Sequence, residues 1–183
     1  MASQAPPSPL TAAVAQVQSG HLQEAAATFE AAIRANPKAG ENLYLLLSEC
    51  YGQLADPAKA TATLRAGLRA YPDMPLLERA LGQSLFRDKV DSNEAGTLLA
   101  HAAKMLPRDP EARHYYAQWA YLNARDRICV QQEGEALALP GLNDLALLQM
   151  NTLLGMCRSR LEEPDGARSA FQRANEVNLR LSV

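Results

Sequence analysis

Apolar residues recur at three- and four-residue spacing along almost the whole chain from Leu10 onward. No segment alternates with the period of two that a half-buried strand requires. The pattern predicts helices throughout, and it breaks at regular places. "AAATFEAAIRANP", from Ala25 to Pro37, is echoed by "ATATLRAGLRAYP", from Ala60 to Pro72, and by "AGTLLAHAAKMLP", from Ala95 to Pro107, about 35 residues apart each time. Each version ends on a proline, and Pro140 supplies a fourth. Proline lacks a backbone N–H and collides with the preceding turn, so each marks the end of one helix. Between consecutive prolines there is room for two helices and a turn.

Residues 41–54, "ENLYLLLSECYGQL", read as the first helix of such a pair, with "ADP" as the turn. Asp56 is placed to cap the next helix, and Pro57 sits at a first helical position, where a missing N–H costs nothing. "EEPDGA", Glu162 to Ala167, repeats that punctuation near the other end. Residues 1–8, with Pro6 and Pro7 among small polar residues, read as a mobile tail. Residues 9–183 read as one domain of five repeats, at about 9–37, 41–72, 76–107, 110–140 and 145–179.

The second helix of each pair carries a small residue, a bulky one four positions on, and another small one three later. Ala25, Phe29 and Ala32 fit this, as do Ala60, Leu64 and Gly67; Ala95, Leu99 and Ala102; and Ala167, Phe171 and Ala174. The first helices carry a large residue followed by a small one: Leu47-Ser48, Leu81-Gly82, Tyr116-Ala117 and Leu154-Gly155. Small residues let helix axes approach, and the large one fills the hole between turns. Residues 9–179 thereby resemble the tetratricopeptide repeat, a unit of about 34 residues folded as two antiparallel helices. The resemblance implies an all-α, right-handed α-solenoid of about five helix-turn-helix repeats. Three places depart from it. In the fourth repeat Cys129 and Ala136 take the small positions while Glu133 occupies the bulky one, which leaves the register open by a residue or two and predicts a bend or shortening at Gly134. In the third the turn "RDKVDSN" is one residue longer than the family pattern, and we read it as a harmless insertion. In the first, "PLTAAVAQVQSG" is a weak helix.

Composition narrows the function classes. In 183 residues, a net charge of −2 gives no concentrated basic surface for a phosphate backbone, so no nucleic-acid partner is expected. No apolar run is long enough for membrane insertion. The first basic residue is Arg34, so the amino terminus lacks the charged region of a secretory signal. A cytoplasmic location is favoured, with export open if a targeting segment precedes the sequence. Cys50, Cys129 and Cys157 are widely spaced and odd in number, which reads as three small buried hydrophobes without a disulfide framework.

No catalytic, metal or cofactor constellation stands out. His21, His101 and His114 lie on separate segments, and no phosphate-cradling loop, nucleophile elbow or metalloprotease motif occurs. Surface remains. The resemblance implies a concave groove lined by the first helix of each repeat, where the family binds protein segments. Mapping from the large-small pairs assigns Asn42, Leu45 and Glu49 to that groove in repeat two, and Arg79, Gln83 and Phe86 in repeat three. Repeat four contributes His114, Gln118 and Tyr121, and repeat five Gln149, Thr152 and Met156. Phe86 and Tyr121 equally suit packing between repeats, and Trp119 suits it better than binding. One subgroup of the family clamps a terminal carboxylate with lysine and asparagine, but Leu10 and Val14 stand at the corresponding first-repeat positions. Arg79 and Arg87, eight apart on one helix, are suited to an acidic segment. The sequence reading is a non-catalytic scaffold for a protein or extended peptide. The alternatives are an array that associates through its ends, a homo-oligomer built on Val177, Leu179, Leu181 and Val183 included, and an accessory domain of a larger enzyme.

Overall fold

The computed structural model describes residues 9–90 and 92–182, and the tail expected at residues 1–8 lies outside them. Within the described residues the chain forms α1 (Pro9–Gln18), α2 (Leu22–Ala35), α3 (Glu41–Gln53), α4 (Pro57–Ala70), α5 (Pro75–Arg87), α6 (Ser92–Met105), α7 (Pro110–Leu122), α8 (Asp126–Leu137), α9 (Asp144–Arg160) and α10 (Pro164–Leu181). This is an all-α helical repeat of the solenoid class, and the odd-numbered helices are the first helices of the pairs. The chain divides into two compact units, Met1–Asp88 and Lys89–Val183. The division falls in the long turn of the third repeat, between α5 and α6.

Proline and acidic side chains set the helix starts. Pro57, Pro75, Pro110 and Pro164 each occupy a first turn, where the absent N–H has no partner to lose. Asp56 accepts from the Lys59 N–H at 3.0 Å, and Asp109 accepts from those of Glu111 and Ala112 at 2.9 and 3.3 Å. The turns within the pairs share a second device. Gly20, Ala55, Lys89, Ala124 and Glu162, one per repeat, adopt left-handed φ of 81°, 57°, 55°, 55° and 59°. Around Ala55 its own N–H reaches the Gly52 carbonyl at 3.1 Å and that of Asp56 reaches Tyr51 at 2.9 Å. These are the two bonds that close a helix end through a left-handed residue, and the same pair recurs around Ala124 and Glu162.

In the first unit, Phe29 of α2 packs with Leu43, Leu47, Cys50 and Tyr51 of α3, with Ala13 and Ala60 closing the cluster. The Tyr51 hydroxyl donates to the Glu30 carboxylate, and its pKa is pushed up to about 12 by burial first and then by that carboxylate. The small positions act as notches. At Gly67 a Cβ would stand 3.0 Å from Tyr44 and 3.2 Å from Leu77, so any side chain there would push both neighbours back by a few tenths of an ångström. In the second unit the Trp119 ring lies over Gly96 and its indole N–H donates to the Ser92 carbonyl at 2.7 Å. Trp119 therefore fills the space between α6 and α7.

Two expectations need correction. Cys129 on α8 and Cys157 on α9 form a disulfide with their Cα atoms 6.3 Å apart, and Cys50 alone is a buried free thiol. Their 28-residue separation hides a contact that exists only once α8 lies on α9. Phe171, expected to fill a slot, lies against Gly155 and stays 40% exposed, because among the described residues no helix follows α10 to cover it. Gly134 lies inside α8, which runs on to Leu137 and, at 12 residues, is two shorter than α2, α4 and α6. Glu133 does occupy the bulky position, fully buried.

Candidate functional site

The candidate surface is built from successive odd-numbered helices, with α3 touching α5 in the first unit. Leu45 and Glu49 on α3, and Arg79, Gln83 and Arg87 on α5, line one cavity of about 400 Å³. Positions 79, 83 and 87 are four apart, so they form one stripe along α5. Ala60 and Leu64 of α4 also line the cavity, together with Ser48, Gly52, Gln53 and Ser84. The walls are held by short-range bonds. Gln53 donates to Glu49 at 3.2 Å, Ser84 and Thr61 hydroxyls meet at 2.9 Å, and Arg87 pairs with Asp88 at 3.3 Å.

Four of the six positions expected in repeats two and three thus share one cavity. Asn42 is exposed on α3 and Phe86 half-buried on α5, and neither lines it. Ser48, Gln53 and Ser84 were missed. For Ser48 and Gln53 the signal is the next helical turn from Leu45 and Glu49 on the same face; Ser84 lies one turn after Ala80, a lining residue that the large-small mapping does not reach.

The second unit distributes its expected residues differently. His114 is not an open groove residue: it is 7% exposed and turned between α7 and α8. Its Nδ1 stands 2.5 Å from Oε1 of Glu133, and its Nε2 2.8 Å from the Gln118 amide nitrogen. As the Gln118 amide donates to Nε2, the Nδ1 hydrogen faces Glu133, which fixes the tautomer. Glu133 Oε2 has no hydrogen-bond partner among the described residues. Burial pushes the Glu133 carboxyl above the usual carboxylate range, against the opposing hydrogen bond and charge of His114. Tyr121 carries the Arg160 guanidinium 4.5 Å from its ring centre, and the same arginine donates to the Tyr121 carbonyl at 2.9 Å and pairs with Asp126 at 3.3 Å. This ties α7 to α9. Thr152 donates to the Leu148 carbonyl at 2.7 Å, while Gln149 and Met156 remain exposed.

Among the described residues, no group of three or more histidine, cysteine or acidic side chains is placed to hold a metal ion. None of their helices is long and apolar enough to cross a membrane.

The tetratricopeptide repeat family model matches residues 16–83, from the end of α1 into α5. Solved structures of MamA superpose over most of the chain. One matches with a TM-score of 0.78 at 14% identity, covering 93% of this chain and 96% of that one. The fold is that of tetratricopeptide repeat proteins. A double mutant of MamA from RS-1 gives a TM-score of 0.80 at 15% identity over 93% of each chain. YrrB, described as a tetratricopeptide repeat protein with an unusual peptide-binding site, gives 0.74 at 17% identity over 92% of this chain and 84% of that one. At these identities the likeness is one of fold. In sequence, the protein O-mannosyl-transferase Tmtc1 of Drosophila melanogaster is 29% identical over 104 residues. That match takes in 55% of this chain and 12% of Tmtc1, so the chain spans about an eighth of that relative.

Proposed function

We propose that the α3–α5 cavity is where this scaffold takes an extended peptide segment of a partner protein. The reading rests on one observation: Leu45, Glu49, Arg79, Gln83 and Arg87, from two successive repeats, line a single cavity. Leu45 and Leu64 supply an apolar floor, the glutamines and serines supply hydrogen bonds to a peptide backbone, and the two arginines favour an acidic side chain. A groove already fixed by helix packing orders the ligand rather than itself, which limits the entropy lost on binding. The peptide-binding site named for YrrB is consistent with this use of the fold.

The test is selection of displayed peptides on the intact chain, followed by affinity measurements. The Arg79→Ala, Arg87→Ala protein is expected to bind the selected peptides about tenfold or more weakly, with helicity unchanged. Equal affinity would remove the cavity from the account. A second reading has its own observation. Phe171 is 40% exposed beside a cavity of about 530 Å³ on α10, and Leu179 and Leu181 are 60% and 51% exposed. Association of copies through that face predicts a mass that rises with concentration and falls back when Phe171 is replaced by Glu.

A further inference from the structure

The repeat pattern supplies a bulky apolar residue in the second helix wherever the next helix must seat. Phe29, Leu64 and Leu99 fill that role, each 3% exposed or less, and Phe29 shares one buried cluster with Leu43 and Leu47 of the following helix. At α8 the position belongs to Glu133. Its Oε1 is turned back onto His114 of α7, and its Oε2 meets no hydrogen-bond partner among the described residues. The polar pair thus serves the seam between α7 and α8 and gives α9 no apolar knob. One helical turn earlier, on the same face, Cys129 bonds to Cys157 of α9. The covalent link stands where the apolar contact is missing. α10 packs on α9, and Asp144 at the start of α9 pairs with Arg180 near the end of α10 at 2.9 Å, so the two helices behave as one element.

We propose that the Cys129–Cys157 disulfide is a redox control on the seating of α9 and α10. With the bond closed, α9 is held on α8. Reduction by a dithiol breaks the chain's S–S bond and transfers two electrons and two protons, leaving two cysteine thiols here and a disulfide on the reductant. The fourth-to-fifth repeat seam then opens locally more often than any other. Both sulfurs are fully buried, so exchange itself proceeds through that opened state, which makes the switch slow in both directions. The inference is independent of the peptide reading, since it concerns only how α9 and α10 are held.

Hydrogen exchange of the full-length chain tests it, read by mass spectrometry before and after treatment with dithiothreitol. After exposure to oxidised glutathione, the denatured chain should show a single reactive thiol, Cys50. Reduction should raise that to the chain's three cysteines. Amides of α9 and α10 should then exchange about tenfold faster, with α2 to α4 unchanged, and reoxidation should reverse the effect. In the His114→Leu, Glu133→Leu protein, where an apolar side chain fills the slot, the rise should shrink to roughly threefold or less. Three reactive thiols after oxidised glutathione, equal exchange in the two redox states, or an undiminished rise in the double variant would each overturn the proposal.

Discussion

Glu133 shows what a single residue does when it breaks the pattern around it. A carboxyl at the position of Phe29, Leu64 and Leu99 is fully buried and held by one strong contact, to His114. Its folded-state pKa is raised, chiefly by burial, so the folded chain holds a proton that the unfolded chain has already lost. The stability from this group is therefore complete below the unfolded carboxylate pKa and is lost as pH rises through the raised one. Asp56 and Asp144 act in the opposite sense. The Lys59 backbone N–H lowers the first and the Arg180 hydrogen bond lowers the second, so their contributions appear above the unfolded pKa and fade as pH falls. Comparison with Glu133→Gln cancels those two. Urea denaturation across the range from ordinary carboxylate titration to neutrality should show wild type losing stability relative to Glu133→Gln as pH rises. Parallel pH profiles would contradict the assigned shift. The sequence marked Glu133 as anomalous, but His114 lies 19 residues away on another helix, so its pairing was not legible from spacing.

At the scale of the helix, the sequence shows its structure most clearly, because helix starts and stops are local. Proline at first turns, aspartate caps and the small-large-small spacing place most of the boundaries without knowledge of the rest of the chain. The disulfide was not legible for the converse reason. Cys129 and Cys157 meet across the α8–α9 seam, and no local spacing encodes a seam. The turns were half legible. Gly20 announces a left-handed residue, but Ala55, Lys89, Ala124 and Glu162 adopt the same conformation with a Cβ in place. Each such residue is strained by about 1 kcal/mol, part of which glycine recovers after its own extra unfolded-state entropy. Ala55→Gly and Ala124→Gly should each stabilise the protein by up to about 0.5 kcal/mol, a rise of about 1–2 °C in Tm. A lowered Tm in both would show that these turns are not held in the left-handed form.

Across the whole molecule, the repeats matter because they place side chains from different helices in one site. The family resemblance together with repeat phase assigns Leu45 and Glu49 to the same surface as Arg79 and Gln83, and all four line the α3–α5 cavity. His114 departs from the surface that repeat phase assigns it, because buried Glu133 holds its side chain inward, while half-buried Tyr121 carries Arg160 over its ring. Asn42, one turn before Leu45 on α3, and Phe86, beside Arg87 on another face of α5, stay outside its lining. The measurement that tests the central claim most directly is site-specific photocrosslinking of a selected peptide. A photoreactive side chain would replace Leu45, Gln83 or, as an exposed control on α6, Thr97. The account predicts crosslinks from Leu45 and Gln83 and none from Thr97. Crosslinking from Thr97 alone, or equal yields at all three positions, would contradict it.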